Sequence, residues 1–119
     1  MTISRKDLDA GRVDLTDVID PDAEPVGPVH PGYILHTDFM EPLGLSVYAL
    51  AQALSVPRTR LNEIVNGRRS ITADTALRLS RHFGISADFW MGLQARYDLE
   101  VARRELGERL MSEVASRAA

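Results

Sequence analysis

Cysteine is absent from the 119 residues, so the chain has no disulfide framework, no thiolate metal site and no thiol nucleophile. Packing alone must hold the fold, and the composition suits a reducing compartment. No apolar run approaches the roughly 18 residues of a membrane span, and the opening MTISRKDLDAGRVDLTD lacks the apolar stretch of a secretory signal. The chain therefore reads as cytoplasmic, with no membrane partner. Also lacking are a glycine-rich phosphate loop, an HExxH pair and a nucleophile elbow, so neither enzyme chemistry nor a cofactor is expected, although His36, Asp38 and nearby serines imitate a catalytic set. The three histidines, His30, His36 and His82, lack the spacing of a zinc site, so no metal is expected. Strand-like alternation is missing from residues 30 to 119, which leaves an all-α fold.

A chain of this length holds one compact core and not two, since domains usually need about 100 to 150 residues. The net charge of -3 is unevenly spread. Residues 1–29 carry three cations against seven carboxylates, a balance of -4, whereas residues 58–81 carry six arginines against Glu63 and Asp74, a balance of +4. DPDAEPVGPVHP at residues 20–31, whose four prolines mark an extended linker, separates the tail from the domain. Three parts follow: an acidic tail and linker over 1–29, a helical domain over 30–103, and a charged helical extension over 104–119.

Tyr33, Ile34, Leu35, Phe39 and Met40 mark a first helix that the sequence predicts to end before Pro42 and Gly44. Ser46 caps a second, over about 47 to 54, with Val47, Leu50, Ala51 and Leu54 at three- and four-residue spacing. Pro57 suits the first position of a third helix, whose apolar face is Leu61, Ile64 and Val65 and whose stop is Asn66-Gly67. Thr72 caps a fourth through Ala73, Ala76, Leu77, Leu79 and Phe83, closed by Gly84. Ser86 caps a fifth with Phe89, Trp90, Leu93, Tyr97 and Val101, and no proline stops it before Ala119. That aromatic stripe reads as core or dimer contact rather than a ligand site.

Two short helices joined by Ser55-Val56 are what a protein needs to place one helix end in a DNA major groove while the other crosses the backbone. Ala51 is small where the two helices must approach, and Leu54, Leu61 and Ile64 fill the space between them. The outward positions of the third helix are Arg58, Thr59, Asn62, Glu63 and Asn66. Arginine can bond guanine through two N–H groups, asparagine can do the same for adenine, and a threonine methyl can touch thymine. Arg58, Thr59 and Asn62 are thus the candidate base readers. Arg60, Asn66, Arg68 and Arg69, at the helix flank and in the following turn, are candidates for phosphate contacts. A row of arginines is more often a solvated face than a binding site; its place on the second helix of a short-turn pair shifts the balance towards DNA.

The segment SVYALAQALSVPRTRLNEIVNGRRSIT resembles the helix-turn-helix of the Xre, or lambda-repressor-like, family. With HPGYILHTDFMEPLGLS before it and TADTALRLSRHFGISADFWMGLQARYDLEVAR after it, the chain from 30 to about 103 is similar to HigA-type antitoxins, also grouped as VapI-like. The resemblance implies a five-helix domain, a homodimer on an inverted-repeat operator in its own promoter, and a RelE-like toxin partner that cleaves mRNA. It also implies base contacts at Arg58, Thr59 and Asn62 and phosphate contacts at Asn66 and its basic neighbours. Ser55 stands where such motifs favour glycine, which implies a strained or reshaped turn. Pro57 replaces the usual polar cap of the recognition helix, and the tail before His30 is longer than the family's.

Residues 7–19, DLDAGRVDLTDVI, mix carboxylates with apolar residues and could order against a basic toxin, or could equally solubilise the chain or pack on its own domain. One recognition helix reads only a few base pairs, so specificity calls for two half-sites about 34 Å apart and hence a dimer, with the surface of the fifth helix as the expected interface. Two other readings remain open at this point: an orphan Xre-type regulator without a toxin, and a helical adaptor that binds only protein.

Overall fold

The structure, a computed structural model, describes residues 27–117. The readings of the acidic tail fall on residues 1–26 and lie outside the described residues. The described residues form six helices and no strand: the five expected and a short sixth.

Helix α1 covers 31–43 in three continuous segments, Pro31–Ile34, a wider π-type Leu35–Met40, and Glu41–Leu43. His30 is its N-cap, with extended backbone and Nδ1 accepting the Gly32 N–H at 2.9 Å. Pro31 follows in the first turn, where its missing N–H has no intrahelical partner to lose. The spacing predicts an end before Pro42, but the helix runs through Pro42 and stops at Gly44, which has φ 66°. The π-type stretch explains the difference: the Glu41 N–H bonds the His36 carbonyl five residues back, so the ladder is already widened. The proline ring then avoids the carbonyl clash that breaks an ordinary α-helix.

Helices α2 (Val47–Leu54), α3 (Arg58–Val65), α4 (Ala73–Phe83) and α5 (Ala87–Leu106) follow the predicted order. Gly67, at φ 76°, turns the chain after α3, while Asn66 keeps a negative φ. Ser86 caps α5 through Oγ, but Thr72, although at the N-cap of α4, makes no side-chain cap. The expected unbroken run of α5 towards the C-terminus is interrupted at Gly107 (φ 53°, ψ -132°), and α6 (Arg109–Glu113) starts beyond it. Glycine lacks the Cβ that would oppose that backbone.

Leu35, Met40, Leu50, Leu61, Ile64, Ile71, Ala76, Leu79 and Trp90 form the buried centre. Phe39 links the indole of Trp90, 4.9 Å between centroids, to Phe83 at 5.2 Å. Tyr33 and Leu77, read as apolar helix positions, face outwards instead. On α4 the inward positions are Thr75, Ala76 and Leu79, and Leu77, two residues and so about 200° from both Thr75 and Leu79, points away from their face.

Helix α1 meets the end of α3 backbone to backbone. A Cβ on Gly32 would collide with the Ile64 carbonyl, whose carbon would lie 2.6 Å away, and would sit 3.0 Å from the Val65 Cα. Backbone cannot yield as a flexible side chain can, so Gly32→Ala should lose about 3 kcal/mol or more of unfolding free energy in a urea titration. An unchanged midpoint would contradict this seating of α3.

His30 also packs edge-on against Tyr97, 4.8 Å between centroids. Burial pushes its pKa below the ordinary 6.5, partly opposed by the Asp98 carboxylate and a hydrogen bond to the Arg69 backbone. A lowered folded value means that His30 stabilises the fold above its ordinary value, and that this stabilisation disappears as pH falls through the folded one. Its Nδ1 must be unprotonated to cap α1. His30→Asn keeps a capping oxygen and has no proton to gain. The variant should show a smaller fall in melting temperature between about pH 7.5 and pH 5.5 than the parent.

Candidate nucleic-acid interface

Helices α2 and α3 form the two arms of a helix-turn-helix. Ser46 opens it by accepting the Ala49 N–H on Oγ at 3.0 Å. Leu50, Ala51 and Leu54 of α2, Val56 of the turn, and Leu61 and Ile64 of α3 are all buried in one cluster. The small Ala51 and the apolar filling between the arms are thus where the spacing predicts them.

Between the arms, Ser55 adopts the left-handed conformation (φ 57°, ψ 47°), the one non-glycine residue with positive φ among the described residues. That backbone is disfavoured by about 1–2 kcal/mol for an L-residue. It is held by the Ser55 N–H bonding the Ala51 and Gln52 carbonyls, and by the Val56 N–H bonding the Ala51 carbonyl at 3.0 Å. The turn therefore keeps the shape glycine would give it, under strain. Pro57 is the N-cap of α3 rather than its first residue: ψ is 140°, and its carbonyl accepts the Arg60 N–H at 3.1 Å. The pyrrolidine ring fixes φ at -61°, which serves an extended cap as well as a first helical turn.

A charged brace links the pair to α4 at the surface. Asp74, in the first turn of α4, accepts Arg60 Nη1 at 2.9 Å and Arg78 Nε at 2.8 Å on the same oxygen. Arg78 Nη1 donates onward to the Leu54 carbonyl at 2.9 Å and the Ser55 carbonyl at 3.4 Å. One carboxylate thereby connects the end of α2, the turn, α3 and α4. The hydrogen bonds from Arg78 and then Arg60 hold the Asp74 carboxyl below the usual carboxylate range.

The three candidate base readers stand together. Arg58, Thr59 and Asn62 are exposed on α3 and, with Val47, line a shallow concavity of about 330 Å³. The four candidate phosphate residues are divided. Arg60 is engaged by Asp74, and Arg69 Nε pairs with Glu63 at 2.8 Å. Asn66 turns back to donate to the Asn62 carbonyl at 2.8 Å and the Asn62 side-chain oxygen at 3.3 Å. Arg68 is exposed with no ion pair among the described residues.

Three contributors escape the residue list drawn from sequence. Arg78 carries the brace, and its four-residue offset from Asp74 is a readable signal. Gln94 is buried on α5; its Oε1 accepts the Ile71 N–H at 2.8 Å, and its Nε2 donates to Asp98 at 2.9 Å and Ser70 at 3.3 Å. It anchors the loop that carries Arg68 and Arg69, and a glutamine four residues after Trp90 on an apolar stripe is its signal. Tyr48 lies under Arg58, with the guanidinium carbon 5.6 Å from the ring centroid, and its hydroxyl accepts Gln52 Nε2 at 2.9 Å. The histidines are dispersed: His36 faces Glu41 at 3.4 Å, and His82 packs on Phe83. No group of three potential metal ligands occurs among the described residues. No helix of the described residues is long and apolar enough to cross a membrane.

A family model for the helix-turn-helix matches residues 38–90. Virulence-associated protein I of Dichelobacter nodosus is 52% identical over 77 residues, which are 65% of this chain and 71% of that protein. An addiction module antidote protein of the HigA family from Coxiella burnetii is 42% identical at a TM-score of 0.73, covering 76% of this chain and 99% of that one. The chain belongs to the HigA-type, VapI-like branch of the Xre helix-turn-helix family. The HigA antitoxin of Pseudomonas aeruginosa, solved with the higBA promoter, is likewise similar: 42% identical, TM-score 0.74, 76% of this chain and 98% of that one.

In this HigA-type domain, replacing Asp74 by Asn should leave Arg60 and Arg78 without their counter-charge and lower the melting temperature by at most a few degrees. The lowered pKa gives the sign of the pH effect. The stabilisation from Asp74 is present above its ordinary 3.8 and is lost as pH falls through the folded value, so the variant should lack that part of the parent's acid destabilisation. Parallel acid melting curves for the two proteins would refute the brace.

Proposed function

We propose that the chain is the antitoxin of a type II toxin-antitoxin module. It represses its own operon by binding an inverted-repeat operator as a homodimer, and it neutralises a RelE-like, mRNA-cleaving toxin by direct contact in the cytoplasm. The observation that carries the reading is the outer face of α3. There Arg58, Thr59 and Asn62 stand exposed together, on a helix whose inner face is locked by Leu61, Ile64 and the Gly32 contact. Base reading needs both conditions, outward polar groups and a fixed helix angle. In this reading Arg58 takes a guanine, Asn62 an adenine and Thr59 a thymine methyl. Arg68, Arg69 and Asn66 meet phosphates. Arg60 serves chiefly through its bond to Asp74, with its remaining N–H groups turned to the DNA backbone.

The antidote and the promoter-bound antitoxin among the similar structures support the two halves of the proposal. The dimer is supported by apolar side chains left exposed on the last two helices: Leu99 on α5, Leu110 and the 85% exposed Met111 on α6, and Val114 beyond it. They are candidates for burial against a second copy, which would space two recognition helices along the duplex.

Arg58→Ala and Asn62→Ala should each remove about 1–3 kcal/mol of preference for the gene's upstream DNA over unrelated duplex, read by fluorescence anisotropy. Arg68→Ala should weaken binding to both duplexes alike and reduce the salt slope by about 1. Co-expression with the product of the adjacent reading frame tests the other half, with restored growth and a co-purifying complex expected. Operator binding without neutralisation would reassign the chain to a stand-alone Xre regulator. Binding of neither, with capture of some other protein, would make it an adaptor.

A further inference from the structure

We propose that Tyr48 is a specificity-determining positioning residue, whose ring holds the Arg58 guanidinium ready to read a base edge and so sets how sharply that arginine discriminates. This rests on the reading of Arg58 as a base reader. The basis is how the arginines around α3 are held. Arg60, Arg69 and Arg78 each have N–H groups committed to a carboxylate. Arg58 instead lies near the face of Tyr48, 5.6 Å from its centroid, with no ion pair among the described residues. The two modes differ in what they leave available. A carboxylate occupies the N–H edge that must meet guanine O6 and N7, whereas a ring that attracts the cation leaves its hydrogen-bond donors for the base. A partly ordered arginine also loses less side-chain freedom when it binds.

Tyr48 is itself steadied. Gln52, one helical turn further along α2, donates to its hydroxyl at 2.9 Å. The tyrosine is 54% exposed and outside the buried cluster, so packing of the fold does not account for its ring. Val47, its neighbour in the chain, lines the same concavity as Arg58, Thr59 and Asn62. The second residue of α2 and the first of α3 thus meet across the turn, and the first helix of the motif takes part in base selection without touching a base.

The test uses the full chain, a duplex from the gene's own upstream region, and the same duplex with each G·C pair of the protected segment exchanged in turn. Tyr48→Leu should lower discrimination at the pair read by Arg58 about two- to five-fold for each half-site. Tyr48→Phe, which keeps the ring, should retain most of it. Tyr48→Leu should change nothing further in an Arg58→Ala background, and the melting temperatures should match the parent's, since the side chain is exposed. Unchanged discrimination in Tyr48→Leu, with discrimination lost in Arg58→Ala, overturns the positioning role and leaves Arg58 a base reader. An equal loss from Tyr48→Leu in both backgrounds overturns it in favour of direct contact between tyrosine and DNA. Unchanged discrimination in Arg58→Ala removes the base-reading assignment, and this proposal with it.

Discussion

The helix-turn-helix is seated by buried apolar packing and by main-chain contact at Gly32, and one carboxylate ties its parts together at the surface. Asp74 bonds Arg60 on α3 and Arg78 on α4, and Arg78 reaches the carbonyls of Leu54 and Ser55 where α2 ends. Apolar packing of Ala51, Leu54, Leu61 and Ile64 brings the two arms together and sets how they sit. Hydrogen bonds from a planar guanidinium have direction. The brace also reaches the carbonyls beside Ser55, whose left-handed backbone is the least favourable conformation in the motif. Strain in the turn and the charged restraint on it therefore occur together.

This arrangement changes how the local charge is to be understood. The balance of +4 over residues 58–81 suggests a uniform basic face, yet Arg60, Arg69 and Arg78 are occupied by Asp74 and Glu63. Their charges still add to the field that a polyanion would feel, because a salt bridge at an exposed site leaves the surrounding potential only partly cancelled. Part of each guanidinium, however, already has a partner. Charge and donor capacity are separate resources here, and Arg58, Arg68 and Arg81 have no ion pair among the described residues.

Much of this could be read from the residues alone. Helix α2, the short turn, the apolar faces of α2 and α3, and the grouping of Arg58, Thr59 and Asn62 all follow from three- and four-residue spacing and from cap chemistry. The differences have local causes. The π-type widening that carries α1 through Pro42 depends on a hydrogen-bond shift that composition does not encode. Pro57 moved by one position because its fixed φ suits cap and first turn alike. Gly107 ended α5 without a proline. What spacing could not supply was partnership across the fold: that Asp74 would choose Arg60 fourteen residues away, that Gln94 would hold the Ile71 amide, or that Tyr48 would meet Arg58. Such pairs arise only once the helices are assembled.

The contact between Gly32 and Ile64 has a consequence for how such a protein can diversify. It joins main chain to main chain, so it is blind to which side chains α3 displays on its outer face. Leu61 and Ile64 point inward and secure the helix independently of positions 58, 59 and 62. Side chains at positions 58, 59 and 62 can therefore be exchanged while the seat persists, without unfolding the chain. The scaffold is exacting where it meets itself and permissive on the face it turns to solvent.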